Sequence, residues 1–122
     1  MPIKAYFLST CDTCKRILNQ LDICASNSDL QDLKSKHITE GELDEIKKKV
    51  GTYEALLNKQ SRLYKSLNLK EKNLTEEEIK KYILSDYTLI KRPIIILNEK
   101  VFAGNSEKVI NELKHEYSRR YQ

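Results

Sequence analysis

The chain of 122 residues is long enough for one ordinary domain and too short for a second core. Twenty-two Lys and Arg against 18 Asp and Glu give a net charge of +4, and 39% hydrophobic with 33% charged residues describes a soluble globular chain, excluding a disordered or membrane-embedded one. The two signs are interspersed, which argues against a dedicated nucleic-acid surface, and three Gly with two Pro leave no low-complexity linker.

The apolar run Ile3 to Leu8 suits a buried central strand and is far too short for a signal peptide or a membrane span, so a cytoplasmic location is expected. Ser9-Thr10-Cys11-Asp12-Thr13 breaks the run with capping residues. Cys14, Ile17, Leu18 and Leu21 then recur at helical spacing, predicting an amphipathic helix that starts near Cys11. Beyond Ser26-Asn27-Ser28, Leu30 to Leu33 reads as a short edge strand.

Thr39-Glu40-Gly41-Glu42 has the capping-box spacing, followed by Leu43, Ile46 and Val50 on one face, with Gly51 as C-cap. Thr75 and Glu78 form a second box ahead of Ile79, Tyr82 and Ile83. Between them Tyr53 to Leu57 and Leu63 to Leu67 read as short helical turns joined by the polar stretch Asn58 to Arg62, so residues 39–86 form an all-helical insert. Pro93-Ile94-Ile95-Ile96-Leu97 is β-branched and reads as a buried strand. Asn98-Glu99 turns the chain into the return strand Lys100 to Ala103. Gly104-Asn105-Ser106 leads into a helix bearing Val109, Ile110, Leu113 and Tyr117. The expected order is β, α, β, helical insert, β-hairpin, α.

The chemistry concentrates at Cys11-Asp12-Thr13-Cys14. Cysteines three apart at a helix start lie on one face, within reach of a reversible disulfide. Structural disulfides are rare among cytosolic thiols, so a close pair there suggests redox chemistry or metal. Unpaired N–H groups and the helix dipole favour a thiolate at the N-terminus, where a cysteine pKa falls from about 8.5 to roughly 3.5–7.5. Cys11 is therefore the better nucleophile, and Cys14, on the apolar stripe, the shielded resolving thiol. Lys15 and Arg16 favour the thiolate, whereas Asp12 opposes it. The structural alternative is a pair of cysteines packed as small hydrophobes. Zinc needs four ligands, and His37 and His115 sit in unrelated segments with no second cysteine pair. Cys24 reads as a core or loop residue. Arg92-Pro93 opens a buried strand where a proline cannot donate to the ladder; a cis bond there would aim Arg92 at the cysteines, while the plain alternative is an exposed cation beside Lys91.

The run Tyr6 to Lys15, then Glu54-Ala55-Leu56-Leu57-Asn58, then Ile90-Lys91-Arg92-Pro93-Ile94 and Gly104, resembles the arsenate reductase (ArsC)/Spx family over nearly the whole chain. The resemblance implies an α/β thioredoxin-like, glutaredoxin-type mixed sheet flanked by helices, with a helical insert in a single domain. It also implies that Cys11 is the active-site cysteine and Pro93 the cis-proline. Asn58 resembles the YffB-like branch, since true arsenate reductases carry an arginine there and use three in all, of which only Arg92 has a counterpart here. A poor arsenate reductase is therefore expected. The site expected from residues and resemblance together is Cys11, Cys14 and Arg92 for catalysis, and Thr10, Thr13, Lys15, Asn58 and Pro93 for substrate binding.

Two functions follow from the resemblance. In the first, the chain is a small thiol-dependent oxidoreductase acting on a small thiol or oxyanion. It needs no bound cofactor and is served by glutathione, another thiol reductant, glutaredoxin or thioredoxin. In the second, the cysteine pair is the redox switch of an Spx-like transcription regulator that binds RNA polymerase, with Gly51 as the match to the polymerase-contacting glycine of that family. The stretch after the last helix, Arg119 to Gln122, is shorter than the Spx tail, which favours the first. Neither function requires direct nucleic-acid or membrane contact.

Overall fold

The computed structural model describes the backbone of residues 3–121 and the side chains of residues 3–119; Met1, Pro2 and Gln122, the last of them in the stretch expected after the final helix, lie outside the described residues. Nine elements follow one another: β1 (Ile3–Phe7), α1 (Asp12–Gln20), β2 (Asp29–Asp32), α2 (Glu40–Val50), α3 (Arg62–Ser66), α4 (Glu76–Ser85), β3 (Ile94–Leu97), β4 (Lys100–Ala103) and α5 (Glu107–Tyr121). Single 3-10 turns occupy Glu54–Leu56, Leu69–Glu71 and Tyr87–Leu89. The chain divides into two compact units: one runs up to Lys36 and resumes at Arg92, and the other is His37–Lys91.

The first unit holds a four-stranded sheet in the order β2-β1-β3-β4. β1 pairs with β2 in parallel and with β3 antiparallel, and β4 returns antiparallel to β3. This is the mixed thioredoxin-like α/β arrangement expected. Strand alternation and helical spacing meet in one core, where Ile3 and Ala5 of β1 and Ile95 and Leu97 of β3 pack with Ile17 and Leu18 of α1, with Leu21 at its C-cap and with Leu113 and Tyr117 of α5. Fully burying an aliphatic side chain of this kind contributes about 1.5–3 kcal/mol.

β2 lies one residue earlier than the apolar pattern suggested. Leu33 is fully buried, yet the paired ladder ends at Phe7 opposite Asp32, so its apolar character marks packing rather than strand. Asn98, at φ 57°, supplies the left-handed residue of the β3–β4 turn.

The second unit is helical, and its main helices start where the sequence says. Thr39 and Thr75 each accept the N–H three residues on, while Glu42 and Glu78 accept the N–H of the capping threonine in return. Gly51 closes α2 at φ 102°, a conformation that needs no Cβ. Lys80 sits between Glu40 and Asp44 at 2.8 and 3.1 Å, and the Tyr53 hydroxyl donates to Asp44 at 2.6 Å. The expected turn at Tyr53 to Leu57 narrows to Glu54–Leu56, because Leu57 pairs with Ile90 in an isolated bridge. Two short turns had no apolar periodicity to announce them. That at Tyr87–Leu89 is set by Asp86, whose carboxylate accepts the Thr88 N–H at 2.7 Å.

Candidate active site

β1 delivers the chain to a tight turn whose end is Cys11. The Cys11 N–H donates to the Leu8 carbonyl at 3.0 Å, and the Cys11 carbonyl accepts the Lys15 N–H at 3.2 Å, opening α1. Cys11 is thus the N-cap residue in an extended conformation, with a side chain that makes no capping hydrogen bond. The first-turn N–H groups that a serine or threonine would engage face a thiol instead.

The two sulfurs sit in opposite environments. Cys11 is half-buried. Burial pushes its thiol up, but the Cys14 N–H, the Cys14 thiol and the Arg92 guanidinium all favour its anion, and the net result lies below the ordinary cysteine value. As a neutral thiol Cys11 makes no cap bond, so the help from the Cys14 N–H belongs to the thiolate. Cys14 is completely buried; burial, then the neighbouring Cys11 thiol and its charge, push it up to about 12. All three cysteines are free thiols.

Arg92 enters from the residue before β3, through a cis peptide bond to the buried Pro93. Its Nε and Nη1 are buried and have no hydrogen-bond partner. Such donors are costly to leave unmade, and a guanidinium can meet an anion through them.

The other expected site residues are distributed unevenly. Thr10 and Lys15 are exposed on the cysteine turn and α1, Thr13 is half-buried one residue before Cys14, and Lys15 stands 3.9 Å from the fully exposed Asp12. Asn58 belongs to the helical unit, where its Nδ2 donates to the Thr88 carbonyl at 3.1 Å and its Oδ1 accepts the Gln60 N–H at 3.1 Å. Both ends of that amide are engaged in its own unit. Cys24 lies in an exposed loop with its sulfur 3.0 Å from the Ser26 hydroxyl, which lowers its thiol below the ordinary value.

Sequence reasoning passed over Asp32, at the end of β2, whose Oδ1 accepts the Ser9 N–H at 3.1 Å across 23 positions. The signal available was an aspartate followed by Lys34 and Ser35, the pattern of a side chain that closes its own turn. Among the described residues no group of three or more His, Cys, Asp or Glu is placed to hold a metal, and no helix is long and apolar enough to cross a membrane.

Comparison with known proteins follows the same lines. The sequence model of the ArsC family matches residues 6–113. An arsenate reductase of Haemophilus influenzae is 34% identical over 80 residues, covering 64% of this chain and 69% of that protein. Among solved structures, a possible arsenate reductase of Streptococcus mutans UA159 superposes with a TM-score of 0.72 at 25% identity, over 93% of this chain and 98% of the other. A Staphylococcus aureus COL protein, SACOL0876, gives 0.72 at 29% identity over 90% and 96%.

Proposed function

We propose, from the premise that this chain belongs to the ArsC family, that it is a thiol-disulfide oxidoreductase in which Cys11 attacks, Cys14 resolves and Arg92 holds the negative charge of substrate or thiolate. The observation that carries the reading is the division of labour between the two sulfurs. One is accessible, anion-favouring and free of a cap bond beside a guanidinium with two unpartnered nitrogens, and the other is fully buried three residues away.

The Cys11 thiolate attacks one sulfur of a disulfide; a bond forms to Cys11, the substrate S–S bond breaks, and one thiolate leaves and takes a proton from water. Cys14 then loses its proton and attacks the Cys11 sulfur, closing the Cys11–Cys14 disulfide and releasing the second thiol. Two electrons pass from the cysteine pair to the substrate, and an external thiol, glutathione or the dithiol of thioredoxin or glutaredoxin, returns them. The first-turn N–H groups and Arg92 stabilise the charge on Cys11 at the outset. Arsenate is disfavoured as substrate, since Gly104 carries no side chain and Asn58 no charge where true arsenate reductases use arginines.

The test uses Cys24→Ser protein, so that the exposed cysteine does not react, treated with glutathione disulfide and mapped by mass spectrometry. The expected products are a Cys11–Cys14 disulfide in that background and a glutathione adduct on Cys11 when Cys14→Ser is added. Cys11→Ser should lose turnover by a factor on the order of a thousand or more. An adduct mainly on Cys14, or retention of RNA polymerase with no turnover by glutathione or thioredoxin, replaces this reading with the regulator.

A further inference from the structure

We propose that Asp32 is a positioning residue for Cys11, clipping the turn that carries the thiol to the end of β2. The inference rests on the reading of Cys11 as nucleophile and adds to it the part that fixes the sulfur in place.

Three contacts join the end of β2 to the cysteine turn. Phe7 and Asp32 are register partners in the parallel β1–β2 pair. The Leu33 N–H donates to the Phe7 carbonyl at 2.8 Å, which carries the ladder to its last rung. Beyond that rung the next link is the Asp32 carboxylate: Oδ1 accepts the Ser9 N–H at 3.1 Å. Ser9 lies two residues before Cys11, inside the turn closed by the Cys11 N–H to the Leu8 carbonyl at 3.0 Å.

Asp32 also closes its own turn, accepting the Lys34 N–H at 3.1 Å and the Ser35 hydroxyl at 3.3 Å. Those local bonds are what an aspartate makes in many turns, and they hold the carboxylate fixed. The bond to Ser9 has no local purpose; it spans the sheet edge to the segment in front of the thiol. Burial opposes the charged form of Asp32, but the Ser9 hydroxyl and N–H, the Lys34 N–H and the Ser35 hydroxyl outweigh it and hold the carboxyl below its ordinary value, so the clip is a carboxylate at neutral pH. The leading direct influences on the Cys11 thiol are burial, Cys14 and Arg92. The influence of Asp32 passes through geometry. The thiolate is favoured only while the sulfur is held near the Cys14 N–H and the Arg92 guanidinium, and those interactions fall off steeply with distance and angle.

The experiment measures the rate of Cys11 alkylation by iodoacetamide against pH, with thermal stability, in Cys24→Ser protein carrying Asp32→Ala, Asp32→Asn or Ser35→Ala. Asp32→Ala is expected to raise the Cys11 midpoint by about one pH unit, which slows alkylation below the midpoint about tenfold. Asp32→Asn keeps an acceptor for Ser9, and Ser35→Ala removes only a local bond, so both should stay within a few tenths of a unit. Should Asp32→Ala not fold, Asp32→Ser retains the Lys34 contact but is too short to span to Ser9, and takes its place. A depressed wild-type midpoint that survives Asp32→Ala, even with lower stability, overturns this inference alone. So does a midpoint that falls in Asp32→Asn, which would mark a direct charge effect. A wild-type midpoint at the free-cysteine value overturns the nucleophile reading and this inference with it.

Discussion

The start of α1 and the starts of α2 and α4 share an extended N-cap residue and differ in what its side chain does. Thr39 and Thr75 each close a reciprocal capping box, whereas Cys11 caps nothing. Cations repeat the contrast. In the helical unit Lys80 lies against two carboxylates, while in the sheet unit Arg92 leaves two buried nitrogens without partners. Buried polar groups are normally satisfied within the fold, so the exceptions mark places where the fold gives up stability for something else. Here both exceptions fall on one sulfur. The helical unit satisfies its caps and its buried cation internally, and the sheet unit leaves Cys11 uncapped and two Arg92 nitrogens unpartnered.

The largest effect that sharpens this comparison is in pH. Cys14 is pushed up to about 12, first by burial and then by the neighbouring Cys11 thiol and its charge. Once Cys11 is in a mixed disulfide its charge is gone, which lowers Cys14 somewhat, but burial remains and keeps the thiol above the free-cysteine value. The reacting thiolate fraction of an acid below its pKa grows about tenfold per pH unit, so a preformed Cys11–glutathione adduct should resolve about a hundredfold faster at pH 9 than at pH 7. Acid quench and mass spectrometry measure the decay directly. A rate that is flat above pH 7 would mean that Cys14 is not shielded in the intermediate, and the contrast between the two sulfurs would fail there.

Arg92 supplies the next test. If its free donors serve an anion, Arg92→Met should slow the reaction of Cys11 with the doubly anionic disulfide 5,5′-dithiobis(2-nitrobenzoate) by about tenfold or more, the value of one charge-assisted hydrogen bond of roughly 1.5–3 kcal/mol. Reaction with the neutral 2-hydroxyethyl disulfide should slow less, by the part that reflects the thiolate alone. Thermal stability should stay level or rise, since the variant removes two unpartnered buried nitrogens. Equal slowing of both disulfides would confine Arg92 to the thiolate and deny it the substrate.

Much of this was legible in the residues. The helices with capping boxes, the buried β-branched strand before Lys100 and the cysteine pair at a strand-to-helix junction all carry their physics locally, because caps, alternation and spacing are properties of a few adjacent residues. What escaped was non-local or weakly apolar. The 3-10 turn at Tyr87–Leu89 depends on one side-chain acceptor, Asp86. The exact placement of β2 depends on register with β1, so its apolar residues pointed one position late. The Asp32–Ser9 bond joins residues 23 apart, and no window of sequence reports such a contact. Asn58, which the resemblance marks for substrate binding, has its amide engaged at both ends inside the helical unit, a pair of contacts its sequence neighbourhood does not announce.

The smallest effect tests the comparison most directly, because the same change of chemistry is made at both kinds of helix start. Replacing an N-cap threonine by alanine removes one acceptor for a first-turn N–H and costs about 1 kcal/mol, within a range of roughly 0.5–2. Thr39→Ala and Thr75→Ala should each lower the midpoint of thermal unfolding accordingly, by about 4 °C for a chain of this size, and leave the Cys11 alkylation profile where it was. Cys11→Ser runs the exchange the other way. A hydroxyl at that position reaches the first-turn N–H groups that the thiol leaves unbonded, so the variant should lose its chemistry and gain up to about 1 kcal/mol of stability. Calorimetry on the three variants gives the signs. A Cys11→Ser protein that is less stable than the wild type would show that the thiol already does the work of a cap, and the helix starts would then differ in reactivity alone.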